Sequence, residues 1–244
     1  MSFAHNEKTP DLRRLAVFQG LQEGMYAMTH MTDDQHSASR YSVGGSENEY
    51  MDEQQTVLKN KKGITDLQAL FVEEEKSLAK AYESLLDEVR SDTPITSELI
   101  RYAHGVVFGD LYDWAGRWRT VTISKPGVTW PPPDYLNDAM REFEREVLLT
   151  YPVSSLTTDQ EFCKALGHIQ GEFLAIHPFR EGNARTIKLV TNLLAVQTGR
   201  LPLAYDSSDA GRNRYIEAAK AATLKEYDLM IALMKDALNA LKPS

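Results

Sequence analysis

Apolar residues recur every three or four positions through most of the chain beyond residue 57. This spacing places them on one face of a helix and predicts helices that bury that face in a common core. It predicts helices over residues 66–90, 96–108, 134–150, 158–176, 183–199, 209–221 and 224–241. In the first of these, the apolar face consists of Leu67, Leu70, Phe71, Leu78, Ala81 and Leu85. The predicted fold class is all-α, an orthogonal helical bundle.

Capping residues support two of these helix starts. Thr65 precedes the first helix and is a favourable N-cap residue. Thr158 and Glu161 have the spacing of a capping box, in which each side chain bonds to the backbone of the other residue. The second signal predicts that a helix begins directly after Thr158.

One segment departs from the helical spacing. Residues 119–124 alternate between an apolar face, with Val121 and Ile123, and a polar face, with Thr120 and Thr122. A Lys-Pro-Gly turn follows, and three consecutive prolines then end the pattern. The bundle is therefore predicted to carry one short β-hairpin.

The first 55 residues are predicted to be separate from this domain. Thr9 and Pro10 are typical of a helix start, and residues 9–29 have an amphipathic pattern. Residues 31–55 are polar, acidic and poor in aliphatic side chains, as in a linker. We therefore predict an N-terminal helix within residues 1–30, a linker over 31–55 and a main domain over 56–244.

Composition narrows the classes of partner and compartment. The formal net charge is -8, which argues against binding to nucleic acid or anionic membrane, since both need a basic face. A single cysteine, Cys163, allows no intrachain disulfide, so we expect a cytoplasmic protein, although secretion as an effector stays open. No apolar run approaches the roughly 18 residues that a membrane span requires.

The segment HPFREGNARTIK, residues 177–188, carries the candidate chemistry. His177-Pro178 ends one predicted helix, and a short loop with Gly182 and Asn183 then opens onto the next. Backbone N–H groups at such a helix start attract an anion, and the helix dipole adds to the attraction.

Three side chains in this segment could act together on a phosphate. Arg185 can bind a phosphate bidentately, and its positive charge at a helix N-terminus calls for an anionic partner. Glu181 offers a hard oxygen ligand for Mg²⁺, and His177 is suited to act as a general base. Each residue alone also fits an ordinary turn, capping or surface role, so the residues by themselves leave both interpretations open.

The segment closely resembles the signature of the Fic family, His-x-Phe-x-[Asp/Glu]-Gly-Asn-[Gly/Lys]-Arg-x-x-Arg. The resemblance extends over about residues 57–238, through the stretches VLKNKKGITD, GDLYDWAGRWRTVTISK and RNRYIEAAKAA. It implies a Fic-like helical bundle whose hairpin, the flap, positions a target. It also implies a protein adenylyltransferase, which moves AMP from ATP to a Ser, Thr or Tyr hydroxyl of a target protein.

The resemblance also implies a role for each residue of the site. His177 deprotonates the attacking hydroxyl, Glu181 holds Mg²⁺ and Arg185 stabilises negative charge on the leaving side. The nucleotide contacts the backbone at Gly182, Asn183 and Ala184, the side chains of Arg185 and Lys188, and the adenine-pocket candidate Tyr215, for which a core role is equally open. The flap residues that align the target are Thr120, Val121, Thr122, Ile123 and Ser124.

Two positions depart from the family pattern. Ala184 replaces the usual glycine, and its methyl group is expected to restrict the backbone where the phosphate approaches. Lys188 replaces the second arginine, so a bidentate contact is lost. Two alternatives therefore stay open: transfer of another phosphate-linked group, and a Fic-like module that binds nucleotide without turnover.

The sequence indicates less about regulation and partners than about the candidate active site. The pair Glu23-Gly24 in the N-terminal helix resembles the inhibitory motif of Fic proteins, although Gln19 stands where Ser or Thr is expected. We hypothesise that Glu23 faces Lys188 and inhibits the enzyme, which a comparison of automodification with a Glu23→Gly variant would test; an ordinary docking helix is the alternative. If Glu23 is not inhibitory, a separate antitoxin-like protein is the expected regulator. The sequence identifies neither the target nor the oligomeric state.

Overall fold

The computed structural model describes residues 42–43, 50–125 and 128–241. Within these residues, seven α-helices and a small three-stranded sheet confirm the predicted helical bundle. The helices are α1 (Leu67–Glu88), α2 (Ser97–Phe108), α3 (Leu136–Glu146), α4 (Asp159–Ile176), α5 (Asn183–Gln197), α6 (Asp209–Thr223) and α7 (Asp228–Asn239). The strands are β1 (Ser42–Val43), β2 (Ile123–Lys125) and β3 (Val128–Thr129). The predicted helix over 9–29, and Glu23 with it, lie outside the described residues.

Helix α4 lies at the centre of the bundle, packed against α3, α5, α6 and α7. Its inward side chains include Phe162, Leu166 and Phe173, all with no exposed surface. Burying such side chains stabilises the fold by about 2 kcal/mol each, so this helix forms a rigid base for the loop that follows it. None of the described helices is both long and apolar enough to cross a membrane.

The helix ends follow local capping chemistry. The capping box of Thr158 and Glu161 is present as predicted. The prediction of Thr65 as the N-cap of the first helix is wrong: Asp66 caps α1, and its carboxylate accepts a hydrogen bond from the amide of Ala69 at 2.8 Å. The last helix begins at residue 228 rather than 224, because Lys225 has a left-handed backbone with φ 64° and cannot continue a helix.

The flap is a hairpin with a third strand added to it. Its core consists of Val121, Ile123 and Trp130, so the predicted alternation of buried and exposed positions is confirmed. Ser42 pairs with Ser124 and Val43 with Ile123, in antiparallel register. Within the segment predicted to be a linker, these two residues therefore form an edge strand.

Candidate active site

The loop between α4 and α5 is shaped by two left-handed residues. His177 ends α4 with φ 52°, and Gly182 precedes α5 with φ 76°. The first is unusual for a side chain of this size, and the second is a conformation that glycine adopts without strain. Together they turn the chain so that His177 and the N-terminus of α5 belong to one compact loop.

Internal hydrogen bonds and ring stacking hold this loop in place. The Asn183 side chain accepts from the amide of Phe179 at 2.8 Å and donates to its carbonyl at 2.9 Å. The Phe179 ring is completely buried and stacks on His104, with the ring centroids 3.7 Å apart. Asn183 therefore acts within the loop through its side chain, and only its backbone amide remains for a ligand.

His104 ties the loop to α2 in a defined tautomer. The amide of Gly116 donates to Nδ1 at 2.8 Å, so the ring proton lies on Nε2, which donates to the Glu181 carbonyl at 3.1 Å. Burial lowers the pKa of His104 to about 3, which keeps the ring neutral. The sequence analysis missed this residue, although its position four residues after Ile100 and four before Phe108 places it on the buried face of α2.

His177 has the tautomer that a general base requires. Its Nδ1 lies 3.0 Å from the carbonyl oxygen of Leu174, an acceptor, so the proton is on Nδ1 and the basic lone pair is on Nε2. The Trp130 ring packs against the imidazole at 4.2 Å, and its Nε1 donates to the same carbonyl at 3.0 Å. The ring orientation is thus fixed by α4 on one side and by the flap on the other.

Burial lowers the pKa of His177 to about 3, with smaller opposing contributions from the Leu174 carbonyl and the Glu181 carboxylate. The imidazole is therefore neutral throughout the physiological pH range. A pKa this low makes the imidazole a weak base. Negative phosphate charge beside the ring would raise its pKa and strengthen it.

Glu181 lies at the positive end of α5. Its Oε1 accepts a hydrogen bond from the Gly182 amide at 3.0 Å and lies 3.8 Å from Nη2 of Arg185. The Gly182 amide predicted to bind phosphate is thus engaged by a carboxylate. Within the described part of the chain, no group of three or more His, Cys, Asp or Glu side chains could hold a metal by itself.

The first turn of α5 presents backbone donors. No side chain caps the helix, and among the described residues nothing accepts from the amides of Asn183 and Ala184. Ala184 is helical and has no positive φ, so its methyl group adds no backbone strain; its effect on the approach of a phosphate stays a prediction. The start of α5 therefore has two backbone donors without an acceptor among the described residues, and anion binding there stays a prediction.

Arg185 reaches across to α1. Its Nη1 donates to Glu74 Oε2 at 2.7 Å, and its guanidinium lies over the Phe108 ring at 4.8 Å. Its Nη2 is buried and has no hydrogen-bond partner among the described residues. The anionic partner predicted for this arginine is therefore supplied in part by the chain itself, and one donor remains for a ligand oxygen.

Comparison with known proteins agrees with this geometry. Residues 94–195 match the model of the Fic/DOC family. The chain contains a Fic/DOC family domain. It is 28% identical over 191 residues to the protein adenylyltransferase VbhT of Bartonella schoenbuchensis, covering 78% of this chain and 39% of VbhT. It is 27% identical over 162 residues to the probable protein adenylyltransferase y4lH of Sinorhizobium fredii, covering 66% of this chain and 81% of that protein.

The fold of the Fic domain is also found in solved structures. The BepC protein of Bartonella tribocorum, a VirB-translocated effector solved with bound AMPPNP, superimposes with a TM-score of 0.63 at 19% identity. The alignment covers 79% of this chain and 98% of that chain. The chain spans only 39% of the length of VbhT.

Lys188, at the position of the second arginine of the Fic signature, lies between two tyrosine rings. Its Nζ is 4.5 Å from the centre of Tyr205 and 4.1 Å from that of Tyr215. Burial lowers the pKa of Lys188 to about 8. The Tyr215 hydroxyl donates to Gln170 Oε1 at 2.7 Å inside the core, which gives this tyrosine a structural role; its contact with adenine stays a prediction.

The flap is fastened to the loop of the Fic domain by Arg119, which is buried and which the sequence analysis missed. Its Nε donates to the His177 carbonyl at 2.9 Å, and its backbone amide donates to the Pro178 carbonyl at 2.8 Å. The other two guanidinium nitrogens donate to the carbonyls of Val121 and Pro131, each at 2.8 Å. One side chain thus sets the distance between both ends of the flap and the residue predicted to act as base.

Proposed function

We propose that the chain transfers AMP from ATP to a Ser, Thr or Tyr hydroxyl of a target protein. The observation that carries the proposal is the junction between α4 and α5. There, a neutral His177 with its basic lone pair on Nε2 shares one loop with the open amides of Asn183 and Ala184. The buried Nη2 of Arg185 supports the proposal, because an unpaired buried donor costs about 1–3 kcal/mol unless a ligand oxygen accepts from it. Both curated relatives are named for the same activity, VbhT firmly and y4lH as probable.

The chemistry follows from these positions. The proton of the target hydroxyl moves to Nε2 of His177 as the hydroxyl oxygen attacks the α-phosphorus of ATP. The bond from the α-phosphorus to the bridging oxygen breaks, and pyrophosphate leaves. Arg185 and the amides of Asn183 and Ala184 stabilise the negative charge that develops on the phosphates, and in a site shielded from water each such donor contributes several kcal/mol to the transition state.

The residues fit a Mg²⁺ ion that is held together with the nucleotide. Magnesium commonly binds to one or two carboxylates and to substrate phosphates, rather than in a cage made by the protein alone. Glu181 provides one carboxylate at the helix start where the phosphates are proposed to bind. The ion would neutralise phosphate charge, while His177, Arg185 and the amides orient the groups that react.

One observation favours a second function, the transfer of another phosphate-linked group. Lys188 is packed between Tyr205 and Tyr215, so its ammonium gives at most a single point contact to a terminal phosphate. A looser hold on that end of the nucleotide would permit transfer of another phosphate-linked group by the same base and loop.

Parallel incubation with α-labelled and γ-labelled ATP separates the two functions. We expect label from the α position alone to remain on the protein itself or on lysate proteins. Label retained from the γ position alone would instead establish phosphotransfer. If neither label is transferred, by the wild type or by the Glu23→Gly variant, the Fic domain is a binding module without turnover.

Target binding is proposed to occur at the flap by strand addition. Within the described residues, β2 is already paired with β1 on one side and with β3 on the other. A target strand therefore has to add to an outer edge of the sheet, at β1 or at β3, or displace Ser42–Val43 from β2. The second route makes these two residues a competitor of the target.

Replacing Val43 with proline tests the second route. Proline cannot donate to a ladder and weakens strand pairing, and each cross-strand pair contributes roughly 0.2–1 kcal/mol. We therefore expect labelling of lysate proteins from α-labelled ATP to rise about two- to fivefold. A Val43→Ala variant, which keeps the amide, should behave as the wild type. Equal labelling by the two variants would mean that targets do not use this edge.

The proposal includes a mode of inhibition and a cellular location. Inhibition by Glu23 is proposed on the sequence motif alone, and a separate antitoxin-like inhibitor is the alternative if that variant has unchanged automodification. A cytoplasmic location is proposed from the single cysteine, while the effector neighbours in Bartonella keep secretion as the other option.

A further inference from the structure

Glu74 is a buried carboxylate that the proposed reaction does not use directly. It lies on α1 with 1% of its surface exposed, within a run of three glutamates. Its neighbour Glu73 instead forms ion pairs toward solvent with Lys62 and Lys76. Burying a carboxylate costs folding free energy unless charged and hydrogen-bonding partners surround it. The burial of Glu74 is therefore expected to depend on such partners.

The partners of Glu74 connect it to the active-site loop. Its Oε1 accepts from the Tyr112 hydroxyl at 2.5 Å, and its Oε2 accepts from Arg185 Nη1 at 2.7 Å. The guanidinium of Arg185 also rests on the Phe108 ring. Residues of α1, of α2 and of the segment after α2 thus fix an arginine that extends from the first turn of α5.

The same contact controls the distance between Arg185 and Glu181. These residues are four apart on the chain, and Nη2 of the arginine is 3.8 Å from Oε1 of the glutamate, beyond hydrogen-bonding distance. Without the Glu74 contact, the Arg185 side chain would move closer to Glu181, because the two opposite charges attract each other. Its pairing with Glu74 holds Nη1 on the side of α1.

We propose that Glu74 is a positioning residue, which fixes Arg185 so that Nη2 is presented to the nucleotide phosphates and does not pair closely with Glu181. The inference rests on the proposed function for its ligand, a nucleoside triphosphate. It explains why the carboxylate is buried: the charge of Glu74 is needed to hold a second charge in place. Tyr112 orients the carboxylate, and Phe108 supports the flat face of the guanidinium.

The proposal predicts a loss of phosphate recognition in a Glu74→Gln variant. We expect affinity for the non-hydrolysable analogue AMPPNP, measured by calorimetry, to fall about tenfold to a hundredfold, because a displaced guanidinium loses its alignment. Affinity for adenosine, which has no phosphates, should stay within twofold. Glu73→Gln, the matched change at a half-buried position one residue away that pairs with Lys62 and Lys76, should leave both affinities unchanged. Parallel loss of AMPPNP and adenosine binding would overturn the proposal, since a general structural defect would have that effect.

A double-mutant cycle tests whether Glu74 acts through Arg185. If it does, Glu74→Gln has little further effect on AMPPNP affinity once Arg185 is changed to glutamine. Additive losses would contradict the proposal. The double variant removes both charges, so it also stays testable where a single variant folds poorly because one buried charge has lost its partner. Tyr112→Phe gives a further variant that retains both charges, and an intermediate loss is expected.

These measurements separate the inference from the proposed function. If the wild type binds AMPPNP but transfers no AMP, the proposed function fails while the cycle still decides the role of Glu74. If the wild type transfers AMP and Glu74→Gln binds AMPPNP as tightly as the wild type, the positioning role fails alone.

Discussion

A His177→Ala variant is expected to lose about 10²–10⁴-fold in the rate of AMP transfer while it keeps the fold. The loss follows from removing the nitrogen that takes up the hydroxyl proton. The imidazole is held by the Leu174 carbonyl and by the Trp130 ring, and alanine leaves neither group able to replace it as a base. The measurement is incorporation of α-label into protein under single-turnover conditions, with circular dichroism to check the fold.

His168 provides the matched control. It lies on the same helix, is half-buried and contacts the Tyr151 hydroxyl at 3.1 Å, outside the proposed site. We expect His168→Gln to change the transfer rate by less than about threefold, as surface and partly buried changes away from a site usually have small effects. Comparable losses in the two variants would remove His177 from its proposed role.

His177 and His104 make the free energy of unfolding depend on pH. Burial lowers the pKa of both His177 and His104 to about 3, whereas an unfolded histidine titrates near 6.5. As the pH falls below 6.5 the unfolded chain takes up protons that the folded chain does not, so stability decreases until the folded pKa is reached. Each histidine contributes roughly 1.4 kcal/mol per pH unit in that window. Between pH 6.5 and pH 5, His177→Ala should therefore lose less stability than the wild type in urea unfolding.

The contiguous part of the candidate site could be predicted, because HPFREGNARTIK places the proposed base, the carboxylate, the helix start and the arginine within 12 residues of sequence. Its supporting residues are distant in sequence: Glu74 and Arg185 are 111 positions apart. Helical spacing nevertheless gave a signal, since Glu74 lies four residues from both Leu70 and Leu78 on the buried face of α1.

Two other features show why the rest was missed. Arg119 has the same strand parity as Val121 and Ile123, which predicts an inward side chain, but its carbonyl partners on either side of the flap come from tertiary structure. Strand β1 has only two residues within a polar stretch, which is too short for an alternating pattern to be visible. A polar residue on an otherwise apolar face is thus a candidate for a buried functional contact. The sequence pattern does not show which residue it contacts.

Gly182→Ala is expected to destabilise the protein by roughly 2–4 kcal/mol and to lower AMP transfer by at least about tenfold. A Cβ atom at this position would lie 2.4 Å from Cε2 of Phe108, a contact far too short to exist, and the φ of +76° adds strain for any residue with a Cβ. The Phe108 ring is completely buried and also carries the Arg185 guanidinium at 4.8 Å. A shift of that ring to relieve the contact would therefore move the arginine as well.

Gly199 separates backbone strain from this steric effect. It has the same φ of +76°, but an added Cβ would have no atom within 4 Å. Gly199→Ala should therefore cost only the strain, about 1 kcal/mol, with transfer unchanged. Combining Gly182→Ala with Phe108→Leu should recover part of the stability, since the smaller side chain removes the clash and leaves the strain. Equal costs for the two glycine variants in urea unfolding would show that the close approach of the loop to α2 is not required, and the motif glycine would then serve the turn alone.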